Sequence, residues 1–118
     1  MRNQLANFIE ILKLEMKDLH DDLHSLKTEN DEKLHKGLIT NYVHMENNAL
    51  FDNELHALRS FQKLLDNINP AEYDNIDALI VHLDGSFSTI MKSCGYAEVG
   101  RICIARKMSK VARYVKGE

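Results

Sequence analysis

An all-α chain, folded as an antiparallel four-helix bundle in up-down-up-down order, is what this sequence predicts. Three observations lead there. Leu5, Ile9, Leu12, Met16, Leu19, Leu23 and Leu26 recur at alternating steps of four and three, the a/d seam of one long helix. Two later stretches repeat helical spacing, and no stretch alternates with a period of two, so no strand is expected. One proline and five glycines in 118 residues leave too few turn formers for an all-β fold. At this length one domain is expected over 1–118.

The expected helices cover roughly 3–27, 41–68 (with 32 as an alternative start), 70–94 and 97–116. Helix one starts at Asn3, a suitable N-cap, and follows its seam to Leu26. The next seven residues, Lys27 to Lys33, hold no apolar side chain. Their composition favours a turn at Thr28–Asp31. The alternative is a helix reaching Lys36, closed by Gly37 at C′, with Thr40 opening the next.

Helix two changes face part-way along. Leu34, Leu38, Tyr42, Met45 and Ala49 group on one side of a helical wheel, and Leu50, Leu55, Leu58, Phe61, Leu65 and Ile68 on another. The switch falls at Glu46-Asn47-Asn48. It implies either a bend or two halves facing different neighbours, one of which can be another subunit.

Asn69-Pro70-Ala71-Glu72 reads as a capping box with proline at N1, opening helix three at 70. Ile76, Ile80, Leu83, Phe87, Ile90 and Cys94 form its seam. The phase holds through Asp84-Gly85-Ser86, so the helix continues, with Gly85 costing about 1 kcal/mol relative to alanine or admitting a close neighbour. Gly95 is the expected terminator. In helix four, Ile104, Ala105, Met108, Val111, Ala112 and Val115 form the apolar side. Arg106, Lys107, Lys110, Arg113 and Lys116 form a basic surface opposite.

The chemistry-bearing residues form no catalytic or metal motif, so neither an enzyme nor a cofactor is expected. Six histidines in a bundle raise the question of a di-iron site, which needs two Glu-x-x-His motifs. Only Glu32-Lys-Leu-His35 fits. His20 and His24 share a two-ligand spacing but lie at the seam's flank. A phosphotransfer histidine fails too, because His35 abuts Lys36-Gly37 directly. Cys94 and Cys103 are too few for a disulfide framework. Gly95-Tyr-Ala-Glu-Val-Gly100 lacks the glycine spacing of a dinucleotide loop. No apolar run is long enough to span a membrane, and the first ten residues do not read as a signal peptide. The expectation is a cytoplasmic protein with reduced thiols.

Three features remain as candidates. Glu54 falls inside the second stripe of helix two, where burial raises a carboxyl pKa unless the group is paired. It makes a metal- or small-ligand-binding bundle, using Glu54 and histidines, the alternative function. The basic surface of helix four gives a second alternative, binding of a polyanion. Residues 101–118 carry six Lys/Arg against one acid, whereas 1–100 carry nine against seventeen. That acidic remainder, the absence of Trp and the shortage of aromatics disfavour nucleic acid. The third feature is helix one itself. Phe8, Ile11 and Leu14 lie off its seam, with Leu14 opposite it, and predict a self-association face. The leading expectation is therefore an interaction or structural module acting as a homo-oligomer, most simply a dimer, or with another protein partner.

Overall fold

A computed structural model describes residues 2–94 and 98–118, with side chains for 4–93 and 101–118. Four α-helices occupy it: α1 (Arg2–His35), α2 (Asn41–Asp66), α3 (Ile76–Cys94) and α4 (Glu98–Lys116). A single 3-10 turn, Pro70–Glu72, lies between α2 and α3. No strand occurs among the described residues. The all-α bundle follows from seams that each helix must bury against its neighbours.

Buried residues of all four helices meet in one core. The helix-one seam contributes Leu5, Ile9, Leu12, Met16 and Leu23, and Phe61 of α2 meets Phe87 of α3 edge-on with ring centroids 5.0 Å apart. The α3 seam differs from the expected one. Its buried residues are Ile76, Leu79, Leu83, Phe87 and Met91, while Ile80 is partly buried against the core and Ile90 is half-buried. Steps of four predominate in that series, so the true stripe is rotated slightly from the one the sequence suggests. Cys94, as a core thiol, and Gly95, as a terminator, lie outside the described side chains and residues respectively. In α4 the core residues Ile104, Met108, Val111 and Ala112 are those expected.

The largest correction concerns the first connection. No turn exists at Thr28–Asp31; α1 runs on to His35. It ends in a Schellman motif at Gly37. The Leu38 N–H donates to the Lys33 carbonyl (2.9 Å), the Gly37 N–H donates to the Leu34 carbonyl (3.0 Å), and Gly37 has φ +73°. Thr40 then caps α2, its side chain accepting from the Val43 N–H at 3.2 Å. Polar residues 27–33 stay helical because most of them stand exposed on a helical arm, where charged residues are no obstacle, and the buried one, Asn30, is hydrogen-bonded to α2. The Glu29–Lys33 pair at 3.6 Å supports the arm at i, i+4 spacing. Helix one also includes Asn3 rather than being capped by it.

The second correction is at 70. Asn69 caps only the short turn, accepting from the Ala71 N–H at 3.1 Å. Tyr73 then turns extended (φ −120°, ψ 140°) and packs against the core. A new cap, Asn75, accepts from the Ala78 N–H at 2.8 Å and opens α3 at Ile76. At the other end α2 stops at Asp66 rather than Ile68, with Asn67 as its C-cap. Gly85 lies in an open stretch of α3 where an added Cβ meets nothing within 4 Å, so it admits no close neighbour.

Length now decides shape. The 34-residue α1 is roughly 50 Å long and the 19-residue α4 roughly 28 Å. The long axis of the molecule measures 54 Å. Ion pairs Lys13–Asp66 (3.9 Å) and Lys27–Asp52 (2.7 Å) set α1 and α2 antiparallel. On α4, Lys107 and Lys110 meet Glu15, while Cys103 and Ile104 meet Leu19 and Leu23 around a shared cavity. Helix α4 therefore accompanies only about the first two-thirds of α1. Beyond it, α1 and α2 continue as a two-helix arm.

Candidate interaction surface

The arm, residues 27–50, is built inside out. Between its helices lies a polar cluster centred on Asn30, which is 4 % exposed and the one buried polar side chain among the described residues. The Asn30 side-chain amide donates to the His44 carbonyl (3.1 Å) and to Asn48 Oδ1 (3.2 Å), and Asn30 Oδ1 accepts from the Asn47 amide (3.1 Å). Beside it, His44 Nε2 lies 2.7 Å from Asp31 Oδ1, on a ring that is mostly buried. The switch at Glu46-Asn47-Asn48 is thus the place where an apolar interhelical seam gives way to a polar one. Such a cluster fixes the register of two helices, because a slip of one residue strands several polar groups at once.

Most of the large apolar residues of the arm point outward, while Leu34 and Ile39 are half-buried. Leu38, Tyr42 and Met45 are 69 %, 71 % and 68 % exposed, and Leu26, Val43 and Leu50 are exposed as well. Six of the ten exposed large apolar side chains among the described residues thus fall between 26 and 50. Scattered single apolar residues need no explanation, whereas a cluster of this kind does.

The expected helix-one face is not assembled. Phe8 is fully buried and belongs to the chain's own core, and Ile11 is half-buried against that core. The reason is that α1 is touched by α2, α3 and α4 alike, so residues off its main seam are covered internally. Only Leu14, 62 % exposed, faces away. Ile11 lines a shallow groove with Glu15, Lys110, Val111 and Tyr114 instead.

The basic surface of α4 is largely spent inside the molecule. Lys107 and Lys110 both donate to the Glu15 carboxylate, at 3.2 and 3.1 Å, and Lys116 donates to Asp77 at 2.7 Å. Lys110 and Lys107 hold the Glu15 carboxyl below the usual range, and Asp77 raises the Lys116 pKa. Arg106 and Arg113 remain exposed. The charge asymmetry seen in the sequence is thereby folded back on itself. The acids that offset the lysines are Glu15 and Asp77.

The histidines do not converge. His20 and His24 meet edge-on at 4.6 Å, His44 pairs with Asp31, and His82 lies against Tyr73 and Ser86. Among the described residues no group of three or more His, Cys, Asp or Glu side chains is placed to hold a metal ion. No described helix is long and apolar enough to cross a membrane. Glu54 is half-buried on an apolar cavity, and burial raises its carboxyl pKa.

Sequence reasoning found Leu38, Tyr42, Met45 and the switch, but not Asn30. Its signal was present: Asn30 continues the seam from Leu23 and Leu26 by one more step of four. A polar residue at an a/d position followed by two asparagines in the facing helix marks such a contact. No protein-family model, curated protein or solved structure matches this chain.

Proposed function

We propose that this chain is a non-catalytic interaction module that self-associates through the arm formed by the ends of α1 and α2. The occupant of its apolar outer face is a second copy of the same arm. The observation carrying this reading is the inversion: polar side chains fill the space between the two helices, while Leu38, Tyr42 and Met45 stand in solvent. Two helices with an exposed apolar face are half of a four-helix bundle, and a two-fold axis supplies the other half from one gene product.

Charge favours a copy over a strongly charged partner. Residues 27–50 hold three lysines and four acids, so two arms meet with little net repulsion. The face is modest, roughly 20 by 20 Å on each copy, or somewhat under 1,000 Å² in total. That is below the range of stable specific interfaces, so the dimer is a weak, reversible one rather than an obligate one. Sedimentation equilibrium from about 1 to 200 µM tests it. The mass should rise from 13.6 kDa toward twice that value across the series. A constant monomer mass throughout would remove the proposal.

A further inference from the structure

A second feature is independent of the arm. Between α1, α2 and α4 lies a cavity of about 120 Å³, lined by Leu19, Leu23, Glu54, Ala57, Leu58, Cys103 and Ile104. Among the described residues its walls are aliphatic except at two points, the Glu54 carboxylate and the Cys103 thiol, which is free. Among the described residues Glu54 has neither a hydrogen-bond partner nor an ion-pair partner, unlike Glu15 and Asp52, which are each held by lysines. The side chains outside the described set, 1–3 and 94–100, include one basic residue, Arg2. It lies on α1 seventeen residues before Leu19, roughly 25 Å along the helix. Among the described residues Glu54 is therefore a half-buried carboxylate facing aliphatic walls with no counter-charge. Such a group is costly unless something completes it.

We propose that this cavity binds a small protonated amine on a short hydrocarbon body, the ammonium seated on the Glu54 carboxylate and the hydrocarbon between Leu19, Leu23, Leu58 and Ile104. Size sets the body. A cavity of about 150 Å³ accepts benzene, so this one takes roughly four to six carbons. Charge sets the head: an anion would meet the carboxylate, and a neutral molecule would leave it uncompensated. Among the described residues a metal ion is the wrong cation. Calcium and magnesium take six or more oxygen ligands, and zinc at least three protein ligands, where the described lining offers one carboxylate and one thiol.

Cys103 provides a reporter built into the site. Cyclohexylammonium, cyclohexanol and cyclohexanecarboxylate are titrated into the full chain at pH 8, and N-ethylmaleimide labelling of Cys103 is followed by peptide mass spectrometry. The amine should bind at least about tenfold more tightly than either of the other two. It should slow Cys103 labelling over the same concentration range. Glu54→Gln should reduce the preference for amine over alcohol to below about twofold with helicity unchanged. Leu58→Phe, which fills the cavity and keeps the carboxylate, should weaken amine binding by about tenfold or more. Equal affinity for amine and alcohol, amine binding that leaves Cys103 labelling unchanged, or no saturable binding below about 10 mM would each overturn the assignment.

Discussion

Asn30→Ala is the substitution that most sharply tests how the arm is held. The side chain makes three hydrogen bonds, two donated to α2 and one accepted from it. Each is worth about 1 kcal/mol net, and the half-buried Asn47 and Asn48 amides lose a partner, so the loss is about 2–3 kcal/mol. If the arm unfolds with the core, an entropy of unfolding of about 2.1 cal/mol/K per residue gives a Tm fall of roughly 8–12 °C. Among the described residues no third helix covers the arm, so it should also open on its own. The same loss then appears as a roughly 30- to 150-fold faster amide hydrogen exchange. That acceleration should be confined to residues 27–35 and 41–50 and absent from Leu55 to Leu65. Thermal unfolding followed by circular dichroism and exchange read by mass spectrometry supply both numbers. A Tm within about 2 °C of wild type, together with unchanged exchange in the arm, would refute the idea that Asn30 holds it.

Two carboxylates should give opposite pH trends. The Glu54 pKa is raised above its ordinary 4.5 in the folded chain by burial, so its ionisation weakens the fold progressively as pH rises through that value to the folded one. Glu54→Gln should therefore be more stable than wild type at pH 7 and indistinguishable from it below about pH 4, in urea unfolding across that range. The Glu15 pKa is lowered by Lys110 and Lys107, so its contribution is complete above its ordinary 4.5 and fades as pH falls through the folded value. Glu15→Gln should cost about 1 kcal/mol at pH 7, less in high salt and nothing in acid. The two described interior glycines should also respond oppositely. Gly37→Ala forces an L-residue to φ +73° and should destabilise by about 1–2 kcal/mol, whereas Gly85→Ala, in open space on α3, should stabilise by about 1 kcal/mol.

Seams were the legible part of this sequence. Leu5 to Leu26, Leu55 to Leu65 and Ile104 to Ala112 each repeat at helical spacing and are buried where that spacing places them, apart from Leu19 and Ala105, which are only partly buried, and Leu26, which is exposed. What was not legible depended on partners far away in the chain. The stretch 27–33 reads as a turn because nothing local says that Asn30 is bonded to residues 14 to 18 positions later. The basic face of α4 reads as free charge because Glu15 lies 92 and 95 positions before its lysines. Phe8 reads as an outward residue because a wheel shows which side chains share a face but not how many neighbours the helix has. The cavity beside Glu54 gathers three helices, and of its lining only Glu54 stood out as chemically unusual beforehand. The outward residues Leu38, Tyr42 and Met45 were legible because they break the phase of the core stripe on their own helix.

The central claim is that the arm, not the body of α1, is the face through which this chain meets its copy. Sedimentation equilibrium of two variants at about 100 µM tests it most directly: Tyr42→Lys with Met45→Lys on the arm, and Leu14→Lys on α1. All three residues are exposed, so neither variant disturbs the core. The arm variant should sediment as a 13.6 kDa monomer while Leu14→Lys retains the mass of wild type. An arm variant that still dimerises, or a Leu14 variant that alone becomes monomeric, would contradict the account.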